Sequence, residues 1–332
     1  MINNDTKILK IDDNSLDIAK NLILNEELVA FPTETVYGLG ALATSNDAVL
    51  KTLSVKGRPQ DNPLIVHVHE NYDLSTLVEI ENDYVYDLIK AFMPGPLTLV
   101  LKSKGNVSPF VTCGLDTVAV RMPSHEGCQK FLKYLDLPIS APSANISKHT
   151  SPVTANHVYE DFNGKIKLIL DGGKCSGGIE STVLDVTCET PEILRAGLIT
   201  FEMIEAVVGK CKTAVYKEGE KAKSPGVMYT HYRPRTKTAL FNCKEVDKAL
   251  ILYEEYLNKG ETPYVLCEEK VAERLIGKNL LNLGKTPEEM ASNLYYMLRE
   301  GEEVADIIIA IEPDGNNGIY DGILNRLRRA CI

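Results

Sequence analysis

Polar side chains able to hold a small charged ligand are concentrated in a few stretches of this sequence, each set among apolar runs. FPTETVYGLGALA, Phe31 to Ala43, carries Thr33, Glu34, Thr35 and Tyr37 ahead of Gly38 and Gly40. Hydroxyls donate and accept, and glycines permit close backbone approach, so the stretch suits a ligand-lining loop. A capped strand-to-helix turn would have the same composition. KGRPQDNPLIVHVH, Lys56 to His69, sets Lys56, Arg58 and Asn62 in a Pro-rich turn before a strand. A bidentate guanidinium beside a compact ammonium is the usual pairing around a nucleotide triphosphate, although a basic turn is also a common solvated surface. His67 and His69, two apart on that strand, share a face. No carboxylate or cysteine in the run completes a metal set, so ligand-contacting or packed imidazoles are the better reading.

Three further stretches complete the inventory. DTVAVRMPSH ends a hydrophobic strand on Arg121. A guanidinium there is costly unless paired, either by a bound carboxylate at the strand's carboxyl end or by a structural salt bridge. LPISAPSANISKHTSP, Leu137 to Pro152, strings Ser140, Ser143, Asn145, Ser147 and Ser151 along a segment with neither helical nor strand period. It has no GxSxG elbow and no local His or Asp arrangement, so hydrogen bonding to a ligand fits better than hydrolase chemistry. DGGKCSGGIESTVLDV, Asp171 to Val186, leads a glycine-rich turn into Ser181 and Thr182, with Arg195 shortly after. Its composition is that of a phosphate nest or of a plain loop, and it lacks the GxxxxGK[ST] pattern.

The elements that must position these residues alternate. From Ser15 to about Gly209, β-rich runs such as LVAFP, PLIVHV, LTLVLK, TVAVRM, IKLIL and STVLDV are interleaved with helical patterns, which argues an α/β domain. One helix is expected over Asn46 to Val55, capped by Ser45 and stopped at Gly57, and the next stops at Pro94-Gly95-Pro96. The pattern lapses over 210–237, which reads as a linker or lid interrupted by Tyr229, His231 and Tyr232. Beyond it TALFN, PYVLC and ADIIIAI alternate with helices near Glu245 to Asn258 and Pro287 to Glu300, so a small parallel, Rossmann-like sheet is expected. It lacks GxGxxG, so nucleotide binding there is not indicated. The expected division is 1–209, 210–237 and 238–332, in keeping with a length of 332 residues, more than one core usually holds.

Composition excludes several classes. No apolar run approaches the ~20 residues of a membrane helix, and the first residues, MINNDTKILKIDD, lack the basic-then-apolar order of a signal peptide. The eight cysteines are scattered without CxxC spacing and read as reduced thiols of a cytoplasmic protein. A net charge of -10 opposes tight non-specific binding of nucleic acid, so any contact with RNA is local or transient.

Taken together and in this order, FPTETVYGLG, KGRPQDNPLIVHV, MPGPLTLVL, VAVRMPSH, ISAPSANISKHTSP and GGIESTVLDV resemble the signature blocks of the YrdC-type threonylcarbamoyl-AMP synthases. SPGVMYTHYRP and the trailing α/β unit resemble the two-domain form of that family. The resemblance implies a twisted mixed-sheet catalytic domain and a smaller Rossmann-like one. It further implies an enzyme, a nucleotidyltransferase, that makes threonylcarbamoyl-AMP and pyrophosphate from L-threonine, bicarbonate or CO2, and ATP with Mg2+. Carried onto matching positions, Thr35, His67, Arg121, Ala141 and Ser181 would contact threonine. Lys56, Arg58, Asn62, Thr117, Ser143, Ser151, Arg195 and Tyr232 would contact ATP. Mg2+ would be held by the phosphates and not by the protein. The downstream partner implied is a transferase that modifies tRNA adenosine. An RNA-binding accessory module is opposed by the acidic balance, and a carbamoyltransferase of the hydrogenase-maturation type would carry zinc-type cysteine pairs that this chain lacks.

Overall fold

A computed structural model describes residues 5–215 and 232–331; Tyr229 and His231 lie outside them. The N-terminal strands are β1 (Lys7–Lys10), β2 (Val29–Phe31), β3 (Gly38–Leu42), β4 (Ile65–His67), β5 (Val78–Glu79) and β6 (Leu97–Ser103). They continue as β7 (Thr117–Arg121), β8 (Ile139–Ser140), β9 (Leu168–Asp171), β10 (Thr182–Asp185), β11 (Glu192–Arg195) and β12 (Lys212–Thr213). They form one mixed sheet in the order β1-β9-β2-β3-β8-β4-β7-β6-β10-β11-β12, with β5 against β6. Pairs β4–β7 and β6–β10 are parallel, while β6–β7 and β3–β8 are antiparallel.

Helices α1 (Asp13–Leu24), α2 (Asn46–Lys56), α3 (Tyr84–Phe92), α4 (Pro109–Thr112), α5 (Glu126–Leu135), α6 (Ala155–Phe162) and α7 (Phe201–Val208) accompany this sheet. Helix α2 begins where Ser45 accepts a hydrogen bond from Ala48 N and ends on Gly57, whose φ of 61° suits only a residue without Cβ strain. The C-terminal sheet has the order β13 (Lys237–Phe241), β16 (Ile307–Ile311), β14 (Pro263–Cys267), β15 (Leu280–Asn282), and every pair in it is parallel. All five residues of β16 are buried, as a parallel strand covered on both faces requires. Its helices are α8 (Val246–Asn258), α9 (Glu269–Ala272), α10 (Pro287–Val304) and α11 (Ile319–Ala330). Helix α10 starts on a Thr286/Glu289 capping box with Pro287 in its first turn. All eight cysteines are free thiols, and no helix among the described residues is long and apolar enough to cross a membrane.

Each sheet has buried clusters of its own, and one further cluster spans both. Tyr37, Phe162 and Ile179 share one buried cluster with Leu294, Tyr295 and Leu298 of α10 and Ile323 and Leu327 of α11. An ionic cluster lies beside it. Asp161 of α6 accepts from Arg299 of α10 at 2.7 and 3.2 Å and from Arg235 at 3.0 Å, and Arg299 also donates to Thr150 O at 2.7 Å. Burial alone would raise the Asp161 carboxyl, but His149 and Arg299 draw it well below the usual carboxylate range.

A folded-state pKa below the unfolded one contributes stability that is full above about pH 4 and lost as pH falls below it. Arg299→Ala should therefore cost about 3 kcal/mol in denaturant unfolding at pH 7. The penalty should shrink on acidification, and an equal penalty at pH 7 and pH 3 would show that the ion pair is not its source.

Candidate active site

Strand register assembles the site. His67 at the end of β4 lies beside Arg121 of β7, Thr98 of β6 lies opposite Arg121, and Val183 of β10 pairs with Thr98. Partners in register share a face of the sheet, so β4, β6 and β7 deliver His67, Thr98 and Arg121 to one place, and β10 runs beside them with Ser181 just ahead of its first residue. The cavity they form has a volume of about 70 Å³. It is lined by Thr35, His67, Arg121, Ala141 and Ser181, the whole set implied for threonine, together with Arg58, Ser143, Arg195 and Tyr232 from the set implied for ATP. That volume admits roughly five waters.

Arg121 settles the alternatives left open for it. Its Nη2 lies 2.7 Å from Glu34 Oε1, both side chains being buried, and its Nη1 donates to Thr35 Oγ1 at 2.8 Å. The structural salt bridge is thus real, and the guanidinium still faces the cavity. His67 Nδ1 lies 3.3 Å from Ile65 O, whereas His69 Nε2 turns to Asp136 at 2.9 Å, so the two imidazoles do not converge. Among the described residues no group of three or more His, Cys, Asp or Glu side chains is placed to hold a metal. Ser181 is fixed from two sides: its Oγ pairs with Thr98 Oγ1 at 2.7 Å, and Arg195 donates to its carbonyl at 2.9 and 3.1 Å.

Lys56, Asn62, Thr117 and Ser151 of the ATP set are not among the residues that line this cavity. Lys56 differs from the exposed turn residue that its sequence context implies. It is the last residue of α2, is 2 % exposed, and its Nζ donates to the carbonyls of Ser143 and Asn145. Burial, followed by the neighbouring Arg58, pulls its ammonium well below the usual lysine range. It therefore braces the serine-rich loop from behind. Arg58 donates to Asn62 O and Pro63 O at 3.2 Å each, and burial brings it down to about 10, so it stays cationic at neutral pH. Asn62 is buried beneath that turn, and Thr117 opens β7 at the end opposite Arg121. Ser151 Oγ donates to Glu180 at 2.7 Å. Glycines of the 171–186 stretch do not line the cavity, and two of them make close backbone contacts instead. A Cβ on Gly177 would lie 3.0 Å from Glu34 O, and one on Gly178 would lie 2.3 Å from Ala291 O.

Three contributors were not assigned from sequence: Glu34 as partner of Arg121, Thr98 as partner of Ser181, and Glu180. Glu34 sits in a quoted block, but only tertiary contact reveals its mate. Thr98 is a polar residue on the buried face of an otherwise apolar strand, a signal that periodicity could have raised.

A family model described as "Telomere recombination", covering Sua5, YciO and YrdC, matches residues 21–197, and one described as "Threonylcarbamoyl-AMP synthase, C-terminal domain" matches 199–331. The chain is 42% identical to a threonylcarbamoyl-AMP synthase of Pyrococcus abyssi over 97% of this chain and 95% of that protein. The chain belongs to the threonylcarbamoyl-AMP synthase family. Its Bacillus subtilis relative of the same name is likewise 42% identical, over 98% of this chain and 95% of the relative. The crystal structure of P. abyssi Sua5 complexed with L-threonine superposes with a TM-score of 0.90, at 39% identity over 98% of each chain. Escherichia coli YciO, at 20% identity and a TM-score of 0.52, shares the fold of the first region, covering 58% of this chain and 96% of its own.

Two measurements check this geometry. Burial first, then the Arg121 charge, push His67 down to about 3, so imidazole NMR should show it neutral at pH 5. Because the unfolded histidine titrates near ~6.5, this group weakens the fold as pH falls below that value and costs nothing above it. Lys56→Met strands two carbonyls and should cost on the order of 2–4 kcal/mol in denaturant unfolding. An unchanged midpoint would return Lys56 to the surface role its sequence context suggests.

Proposed function

We propose that the protein makes threonylcarbamoyl-AMP from L-threonine, bicarbonate or CO2, and ATP, as its family's name indicates. The observation that carries the reading is the union in one cavity of Thr35, His67, Arg121, Ala141 and Ser181. Arg121 takes the threonine carboxylate, and the hydroxyls of Thr35 and Ser181 orient the rest of the amino acid. His67, held neutral, adds no second cation beside Arg121.

The triphosphate lies toward Arg58, Ser143, Ser151 and Arg195, with Lys56, Asn62 and Thr117 supporting or extending that end and Tyr232 covering it. Mg2+, when bound, supplies charge neutralisation on the phosphates. Glu180 is the carboxylate among the cavity-lining residues, and its oxygens are engaged by Ser151, Tyr295 and Arg326, so the ion fits as a ligand of ATP rather than of this chain.

The amine displaces water from bicarbonate to give the carbamate, and a carbamate oxygen then attacks the α-phosphorus with pyrophosphate leaving. The protein need supply no covalent nucleophile. Positioning and charge stabilisation by the arginines carry the acceleration. The adenylate is a labile product suited to immediate use by a tRNA-modifying transferase. Eight cysteines with no disulfide among them suit a cytoplasmic setting. On this reading the chain comprises a catalytic domain at 1–209, a connector at 210–237 that carries Tyr232, and a C-terminal domain at 238–332.

Purified protein given ATP, Mg2+ and bicarbonate should release pyrophosphate only when L-threonine is added. Arg121→Ala should raise the threonine KM about thirtyfold or more, since one partner of a desolvated charged contact is lost. A folded Arg121→Ala protein with unchanged threonine dependence would overturn the carboxylate assignment.

A further inference from the structure

Two C-terminal helices reach the wall of the cleft. Arg326 of α11 is fully buried, and its Nε donates to Glu180 at 3.1 Å. Tyr295 of α10 donates its hydroxyl to the same carboxylate at 3.0 Å, and Ser151 donates to it from the catalytic side at 2.7 Å. The Tyr295 ring stacks on Tyr232 with centroids 5.4 Å apart, and the Arg326 guanidinium lies 5.9 Å over the Tyr232 ring. Glu180 itself lines the cavity and immediately precedes Ser181.

Backbone contact reinforces these side chains. Gly178 has a φ of 71° and no space for a Cβ against Ala291 and Ser292 of α10. A Cβ on Gly322 of α11 would lie 2.9 Å from Ile179 Cδ1. The 177–181 loop is therefore held by the C-terminal helices rather than merely touched by them. Arg299, by donating to Thr150 O, secures the residue before Ser151 in the same way.

Burial would raise the Glu180 carboxyl, yet it is held below its ordinary value, first by Arg326 and then by Arg195. Two buried guanidiniums, one from each sheet's unit, thus act on this carboxylate: Arg326 in contact with it, and Arg195, which donates to the carbonyl of the adjacent Ser181 at 2.9 and 3.1 Å. Buried charges seek partners because desolvation is otherwise uncompensated.

We propose that Arg326 and Tyr295 are positioning residues of the synthase cleft: Arg326 matches the charge of Glu180 from the C-terminal side and the Tyr295 hydroxyl occupies it with a hydrogen bond, and together they keep that carboxylate from drawing Arg195 away from the nucleotide phosphates. The inference rests on the assignment of Arg195 to ATP made above. It gives the C-terminal unit a defined part in the reaction, since Tyr232, Ser151 and Ser181 all lean on the same carboxylate or its neighbours.

The test uses the full-length protein and ATP itself, read by calorimetry and by the ATP KM. Arg326→Gln leaves Glu180 unmatched and should weaken ATP binding about tenfold or more. Glu180→Gln combined with Arg326→Gln removes both charges and should recover affinity to within about threefold of the unsubstituted protein. Tyr295→Phe, which keeps the stack on Tyr232, should weaken ATP about threefold. A merely structural role for Arg326 predicts no recovery in the double variant, and that result, or normal ATP affinity in Arg326→Gln, overturns the proposal. Should Arg326→Gln fail to fold, the double variant and Tyr295→Phe decide, and normal affinity in Tyr295→Phe with a weakened double variant counts against it. Absence of ATP binding and of threonine-dependent pyrophosphate release in the unsubstituted protein would instead overturn the proposed function on which it rests.

Discussion

A guanidinium at neutral pH cannot escape burial by shedding its proton, so each arginine that this fold draws inside must meet an acceptor there. Arg121 meets Glu34, Arg299 meets Asp161, and Arg326 meets Glu180. These three pairs stand at the cavity or at the seam between the sheets. Each is costly to assemble and costlier to break, because removing one partner leaves a charge stranded in low dielectric. The consequence is specificity of arrangement: the helices of the C-terminal unit can sit in one register on the N-terminal unit, the one that pairs Arg299 and Arg326.

The mixed sheet serves the same constraint. A strand bearing Arg121 at its end is tolerable because β4 and β6 bring His67 and Thr98 alongside and the β2–β3 connection brings Glu34 and Thr35. Had β6 run parallel to β7, Thr98 and Arg121 would sit at different heights for the same connections. Topology and chemistry are therefore not separable here; the turn at Met93 to Pro96, which leads from α3 into β6, lets Gly95 O accept from Arg121 Nε at 3.4 Å.

Much of this was legible in the chain. Helix α2 is bounded by Ser45 and Gly57, and the C-terminal strands TALFN, PYVLC and IIIAI follow β-propensity and apolar runs, because caps and periodicity are local. That Thr35, His67, Arg121, Ala141 and Ser181 belong together was legible too, since they fall within contiguous blocks and the fold gathers them in one cavity. What could not be read is pairing across long separations. Lys56 looks like a phosphate ligand in KGRPQDN, yet carbonyls some ninety residues away in sequence, those of Ser143 and Asn145, claim its ammonium. In NRLRRA, at the end of α11, Arg328 is exposed on Glu312, but Arg326 two residues earlier is wholly buried on Glu180. Nothing in the hexapeptide distinguishes them except which face α11 turns inward.

An acidic chain that concentrates buried arginines in one cleft also separates two kinds of phosphate. The net charge of -10 repels an extended nucleic-acid backbone, which binds by releasing counterions along many contacts. A single triphosphate needs only a short reach of positive potential, and a recessed site of low dielectric sustains that potential despite the surrounding surface. On the proposed reading Arg58 and Arg195 supply it, while Arg121, paired with Glu34, faces the amino acid. On the proposed reading the protein therefore works on nucleotide and amino acid alone, and its activated product has to leave the cleft to reach RNA.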